Sequence, residues 1–261
     1  MIGIGIGIPF YKASGFDPDA SAFITAAGIT DQTQKTAINQ LVIDLKSAGL
    51  WNKMKAIYPF VGGTASAHKF NLKDPRDLDA AFRLVFNGGW THSANGITGN
   101  GTNTNANTYL NPSTEFSLSA NSYGVYIRNN TQKGYDIGAL ISTNDTMLAA
   151  RYTDGNAYFC VTGTTYRSVV NSNSQGTYIF SKNGLTTNNL YKNKLSIISS
   201  SDASIYANDN FRIGAGGSAY VDVSDHNYAF AFFSTQGLNL TNAELLTDII
   251  VEFQTTLGRN V

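Results

Sequence analysis

The hydrophobic period of this chain changes twice. Residues 2 to 8 alternate isoleucine with glycine until Pro9 interrupts them. A period of two places Ile2, Ile4, Ile6 and Ile8 on one face of an extended segment, with bare glycine on the other. Such a segment either starts the protein's own sheet or adds to the sheet edge of a partner. Exposed, the isoleucines promote association, while the glycines admit close backbone approach. The segment is expected to be an anchor that lies extended against a sister subunit or another protein.

A helical period follows. In FDPDASAFITAAGIT, Asp17 suits the N-cap, Pro18 the first helical position and Gly28 the position past the end, which predicts a helix over 18–27. A second helix is expected to start after Thr30 or Asp31 and to run to about Lys55. Ile38, Leu41, Val42, Leu45 and Ala48 recur there at helical spacing, with Gly49 a candidate break before Trp51. The Tyr58-Pro59 pair closes the helical region, because the residue before proline avoids the α conformation.

From Phe70 onward the period returns to two. YGVYIRNN, YDIGALIS, TMLAARYTDGNAYFCV, GTYIFSKNG and YAFAFFS are short β-branched or aromatic runs broken by Asn-Asn, Asp-Gly, Asn-Gly or Gly-Gly. TDGN is the strongest hairpin signal and fits a type I′ turn. Many short strands without interleaved helices predict a mainly β, antiparallel sandwich, expected over about Tyr109 to Phe233. The tract SANGITGNGTNTNANT, residues 93–108, has the composition of a flexible exposed loop or linker. A last helix closes the pattern. Thr241 and Glu244 have capping-box spacing, Leu245, Leu246, Ile249, Ile250, Phe253 and Leu257 form an apolar stripe, and Gly258 sits at its end. The chain therefore divides into an anchor (1–12), a small helical module (13–69) and a β domain with its C-terminal helix (70–261).

Composition narrows the function. The 261 residues carry 18 basic and 18 acidic side chains, so nothing draws the chain to nucleic acid or an anionic membrane. Only 14% of residues are charged, and Asn, Ser, Thr and Gly supply the polar surface, as in extracellular or fibre-like proteins. Cys160 is the single cysteine and lies in an apolar strand, which excludes an intrachain disulfide. No segment is long and apolar enough for a transmembrane helix, and the N-terminus lacks the basic region of a signal peptide. A particle assembled in a host cytoplasm and released by lysis needs neither disulfides nor an export signal.

Little of the sequence points to catalysis. His68, His92 and His226 have no metal-ligand spacing, and no nucleophile elbow, phosphate loop or HExxH motif occurs. Glu115, Glu244 and Glu252 are the only glutamates, two of them on the last helix, and no alternating E-x-D-x-E run provides a glycosidase pair. Asp222 and Asp225 in VDVSDHN can give oxygens to calcium, although paired loop aspartates are also ordinary turn formers. Trp90, beside the Asn-rich tract, is either a core residue of its strand or, with Tyr109, part of a rim that stacks on sugar rings.

The segments KSAGLW, YPFVGG and FNLKDPRD, with the closing FQTTLGR, resemble a module of structural proteins of tailed phages infecting Bacteroidetes, including the crAss-like phages. The ending AFAFFSTQGLNLTNAELLTDIIVEFQTTLGR resembles the terminal strand and helix of concanavalin A-like (laminin G-like) jelly rolls in such proteins. The resemblance spans about residues 38–261. It implies a virion protein without catalytic residues: a tail, collar or head fibre or decoration subunit. Its expected partners are other virion proteins, sister copies (a trimer by analogy with fibres) and host-surface glycans, and no cofactor is expected beyond calcium. A glycan-degrading depolymerase on the same scaffold and an extracellular lectin are the competing readings.

Overall fold

The computed structural model describes residues 15–141, 144–163, 165–217 and 222–261. The proposed anchor residues Ile2, Ile4, Ile6 and Ile8 lie outside the described residues.

Two helices open the described chain. α1 (Pro18–Ala26) is capped by Asp17, whose carboxylate accepts the Asp19 N–H, and α2 (Gln32–Ser47) is capped in the same way by Asp31. α2 stops eight residues before the expected Lys55. Residues 51–53 form a single 3₁₀ turn, and the chain passes straight into β1 (Met54–Tyr58). α3 (Ala65–His68) is one turn.

Four short strands follow: β2 (Val85–Asn87), β3 (Thr91–Ser93), β4 (Gly96–Thr98) and β5 (Asn105–Asn107). After the one-turn α4 (Pro112–Glu115) come β6 (Ala120–Ile127), β7 (Ile137–Ala139), β8 (Asp145–Ala149), β9 (Asn156–Gly163) and β10 (Tyr166–Val170). β11 (Gly176–Asn183), β12 (Asn188–Lys192), β13 (Leu195–Ser200), β14 (Arg212–Ile213) and β15 (Asn227–Ser234) complete the strands, and α5 (Leu240–Thr256) closes the fold.

The strands form two antiparallel sheets. The first runs β13-β12-β11-β6-β15-β4-β3, with β1 also pairing with β15; the second runs β10-β9-β8-β7-β14-β5-β2. The sandwich thus begins at Met54, well before Tyr109. β1, counted above with the helical module, is hydrogen-bonded into the first sheet through Ala56–Phe233 and Tyr58–Ala231. The tract 93–108 is no linker either. It supplies β4 to one sheet and β5 to the other, with Thr104, Asn105, Ala106 and Thr108 buried. Three-residue strands are too short for alternation to show, and the Asn and Thr side chains fold back on the backbone: the Asn100 carboxamide oxygen accepts the Thr102 and Asn103 N–H groups.

Side-chain alternation builds the interior. Tyr123, Val125 and Ile127 of β6, Tyr178 and Phe180 of β11 and Phe233 of β15 point between the sheets and meet Ile137, Leu148 and Phe159 from the second sheet. The opposite face of the first sheet is covered by helices. Tyr126, Ile179 and Phe232 pack there against Leu41, Leu45, Leu246, Ile250 and Phe253. A bulge between Tyr228 and Phe230 turns Ala229 and Phe230 together toward the helices. Gly124 has no room for a side chain, because a Cβ there would lie 2.7 Å from the Phe232 ring and 2.2 Å from the Tyr178 carbonyl. The helices therefore pack onto the outer face of the first sheet, in a core separate from the one between the sheets.

Local details depart from expectation for local reasons. The cap of α5 is Asn239, which accepts the Asn242 N–H, so Thr241 and Glu244 form no capping box. Leu245 is exposed, and the buried stripe is Ala243, Leu246, Ile250 and Phe253. At TDGN only Gly155 has positive φ, which makes a three-residue loop ending in a left-handed glycine. The two-residue turn with positive φ at both centres is Asn193-Lys194, between β12 and β13.

Beyond α5 the chain is clamped by Arg259, whose side chain is 1% exposed. Its guanidinium donates to Gln254 Oε1 (2.9 Å) and to the carbonyls of Phe60 (2.8 Å), Pro59 (3.2 Å), Ala229 (3.2 Å) and Ala94 (3.3 Å). Burial, with the charge of Arg128 nearby, brings its pKa down to about 9. Arg259→Met would leave these buried acceptors unpaired and is expected to lower stability by about 3 kcal/mol. Arg259→Lys should recover only part of this, because an ammonium lacks the planar fork. Urea denaturation checks both variants; an unchanged midpoint in Arg259→Met would mean that the clamp contributes nothing.

Candidate functional site

Among the described residues, no helix packs in the apolar cluster on the outer face of the second sheet, which consists of Tyr135, Met147, Ala149 and Cys160 with Leu140, Tyr152 and Tyr158 beside them. Strand register brings these residues together. Met147 and Tyr166 both pair with Cys160, and Ala149 pairs with Tyr158, so Tyr158, Cys160 and Tyr166 lie on neighbouring strands around small floor residues. The result is a cleft of about 340 Å³ lined by Tyr135, Tyr152, Tyr158 and Tyr166.

The rings are held in defined orientations. Tyr135 and Tyr152 stack with centroids 5.1 Å apart and planes 17° apart, and Tyr158 meets Tyr152 edge-on at 5.8 Å. Three phenols are tied to aspartates. Tyr152 donates to Asp222 (2.9 Å), Tyr158 to Asp154 (2.5 Å) and Tyr166 to Asp145. Burial, reinforced by the adjacent carboxylates, raises the phenol pKa of Tyr152 and Tyr166, and burial raises that of Tyr135. The Tyr152 and Tyr166 phenols are thus neutral donors.

Beneath the cleft a buried carboxylate fixes its frame. Asp136 Oδ1 accepts from His226 Nδ1 (2.6 Å) and the Tyr228 hydroxyl (2.7 Å), and Oδ2 accepts the Ala150 N–H (2.6 Å). The other His226 nitrogen faces the Thr131 carbonyl at 3.2 Å. With an acceptor at each nitrogen, the ring is held as imidazolium. Burial works against the charge, but Asp136 and the Thr131 carbonyl outweigh it and raise the His226 pKa. The backbone joins the same frame, since the Tyr135 N–H donates to the Asp222 carbonyl (2.8 Å).

The residues singled out from the sequence lie elsewhere or play other parts. Trp90 is half-buried, edge-on to Phe86 (6.0 Å) and tilted against Tyr228 (6.3 Å). Its ring covers Gly214 so closely that a Cβ there would meet it at 2.6 Å. Tyr109 is half-buried with φ +56° and follows β5, whereas Trp90 follows β2. Because β2 and β5 are antiparallel, the two lie off opposite ends of their ladder and form no joint surface. Asp222 holds the Tyr152 phenol, while the Asp225 carbonyl accepts from Asn129. Among the described residues no group of three or more His, Cys, Asp or Glu side chains could hold a metal ion. Two histidines far apart in sequence do meet: His68 Nε2 accepts the Gly63 N–H, so its Nδ1 carries the proton and donates to His92 Nδ1 at 2.9 Å. The sequence does not single out the four tyrosines, because they are spread over three separate runs and only the register assembles them.

These observations define the class: a mainly β, jelly-roll sandwich of two antiparallel sheets with a C-terminal helix. No protein-family model matches the sequence, and no curated protein matches it. Among solved structures it is similar to domain 4 of an extracellular arabinanase from Geobacillus stearothermophilus, solved in complex with arabinotriose (13% identity, TM-score 0.50, 75% of this chain and 98% of that one). It is also similar to the binding domain of botulinum neurotoxin serotype D (9%, TM-score 0.54, 76% of this chain and 52% of that one). A sialidase from Trypanosoma rangeli matches at 10% identity and TM-score 0.55, over 84% of this chain but only 39% of the sialidase. At such identities the likeness is one of fold.

Two outcomes are expected. Trp90→Ala should lower stability by about 3 kcal/mol, as a packed aromatic does on truncation; an unchanged melting temperature would show the ring to be dispensable to the core. Because the folded pKa of His226 is raised, its stabilisation is complete below the unfolded value of about 6.5 and is lost as pH rises through the folded pKa. The stability difference between the native protein and His226→Gln should therefore be larger at low pH than at high pH. A difference that grows with rising pH in denaturant titrations would contradict an imidazolium at this position.

Proposed function

We propose that this chain is a non-enzymatic, glycan-binding jelly-roll module of a virion structural protein, a fibre or decoration subunit that contacts host-surface sugars. The cleft of four tyrosines carries the glycan-binding part. Tyrosine faces stack on the apolar faces of sugar rings while their hydroxyls and neighbouring carboxylates exchange hydrogen bonds with sugar hydroxyls. The cleft's volume lies within the usual range for small-ligand sites. Its carboxylates each accept a hydrogen bond from a phenol, which suits holding a ligand rather than general acid and base work.

The arabinanase domain solved with arabinotriose, which this chain matches over nearly that domain's full length, supports a sugar ligand for this type of sandwich. The virion setting rests on the resemblance of KSAGLW, YPFVGG, FNLKDPRD and FQTTLGR to phage structural proteins.

Calorimetry against a panel of oligosaccharides tests the reading. At least one glycan should bind, and Tyr152→Ala should weaken it about tenfold or more, the worth of one stacked ring. A panel without a ligand, or binding indifferent to Tyr152 and Tyr158, overturns the glycan site. Release of reducing ends from a bound polysaccharide overturns the non-enzymatic part.

A further inference from the structure

We propose that the His68–His92 pair is an acid-operated latch, which holds the edge strand β3 while both rings are neutral and releases it on taking up one proton. The device lies apart from the tyrosine cleft and does not rest on the glycan reading.

The proton count comes first. His68 is 2% exposed, and both of its ring nitrogens are committed. Nε2 accepts the Gly63 N–H at 3.2 Å, and Nδ1 meets His92 Nδ1 at 2.9 Å, so the two facing nitrogens share one proton. A second proton, on His92 Nδ1, sets N–H against N–H. Moving the first proton to His68 Nε2 would set it against the Gly63 N–H instead. Either way one contact breaks. No carboxylate offsets the added charge: Lys69, next to His68, is paired with Asp77, and Asp31 at the start of α2 lines the small cavity beside Ala94. Among the described residues no acid forms an ion pair with either ring. Arg259, which donates to the Ala94 carbonyl, instead places a positive charge near His68. Burial, then the His92 and Arg259 charges, brings the His68 pKa down to about 3, and burial lowers that of half-buried His92, which takes the proton first.

The strand is the part that can move. β3 has three residues, ends the first sheet and pairs with β4 alone. His92 holds it through His68 and through the Phe86 ring at 4.6 Å, while the Ser93-Ala94 backbone lies against Gly63, whose Cβ would sit 3.4 Å from the Ala94 nitrogen. Because the folded pKa of His92 is lowered, the latch is fully stable above the free value of about 6.5 and weakens as pH falls below it. His226 has the opposite sign, its stabilisation being complete below that value. Mild acid therefore loosens the edge while the buried frame keeps its imidazolium. With β3 released, β4 becomes the edge of the first sheet, and an unpaired edge is open to another strand.

The test is hydrogen exchange read by mass spectrometry on the full chain. It compares about pH 7.5 with about pH 5, where ordinary carboxylates are still ionised, after correction for the intrinsic rate at each pH. The segment 90–98 should lose protection about tenfold or more at the lower pH, the effect of one proton taken up on opening, while β6 keeps its own. His92→Gln removes the titration but retains an amide oxygen that can accept from His68 Nδ1, so its segment 90–98 should be equally protected at both pH values. No loss in the native protein, an equal loss in β6, or the same loss in His92→Gln overturns the proposal. Should His92→Gln lack protection already at the higher pH, the native ring is titrated by NMR. A His92 midpoint below about 6.5 that coincides with the loss of protection upholds the latch, and a midpoint at or above that value overturns it.

Discussion

The structure depends on one buried carboxylate. Asp136 has no exposure, and its oxygens accept from His226, Tyr228 and the backbone of Ala150. Tyr228 belongs to β15 in one sheet, while Asp136 leads into β7 and Ala150 follows β8 in the other. An ionised carboxylate placed there alone would be strongly unfavourable, so its partners have to arrive together or the sheets cannot close. Hydrophobic burial between the sheets supplies most of the driving force but is non-directional. The carboxylate adds direction by fixing which turn of one sheet meets which strand of the other.

That constraint reaches the surface. Tyr135 precedes Asp136, and Tyr152 follows Ala150 by two residues. The Tyr135 N–H bonds the carbonyl of Asp222, and the Asp222 side chain bonds Tyr152. Two walls of the cleft are thereby set by the same buried group that joins the sheets. Helices perform the complementary task on the far side. α2 and α5 cover the first sheet, and Arg259 ties the end of α5 to the Pro59–Phe60 turn. Among the described residues one outer face is covered by helices and the other carries the tyrosines.

Elsewhere on the surface charges pair with one another, as Arg167 with Asp202 and Arg83 with Asp79 do. Around the tyrosines the carboxylates meet phenols instead. Hydrogen bonds from the phenols to these carboxylates hold the rings in place.

The sequence by itself determined the elements that local chemistry controls. Asp17 and Asp31 cap helices where their spacing from Pro18 and Ile38 says they should, and the alternation in YGVYI and YAFAFFS places the right residues inside. The antiparallel sandwich and its closing helix were legible for that reason. What it left open were matters of partnership between distant segments. β4 and β5 hide in a polar tract because three-residue strands owe their existence to the neighbours they pair with. Trp90 attracted attention as an aromatic beside asparagines, yet its surroundings, Phe86, Gly214 and Tyr228, come from three separate stretches. The tyrosine cleft is the extreme case. Its four residues span positions 135 to 166 in runs that each read as ordinary strand, and no spacing rule relates them. Only the pairing of β7, β8, β9 and β10 decides that they share a face, because strand register is fixed by the whole sheet and not by any one strand.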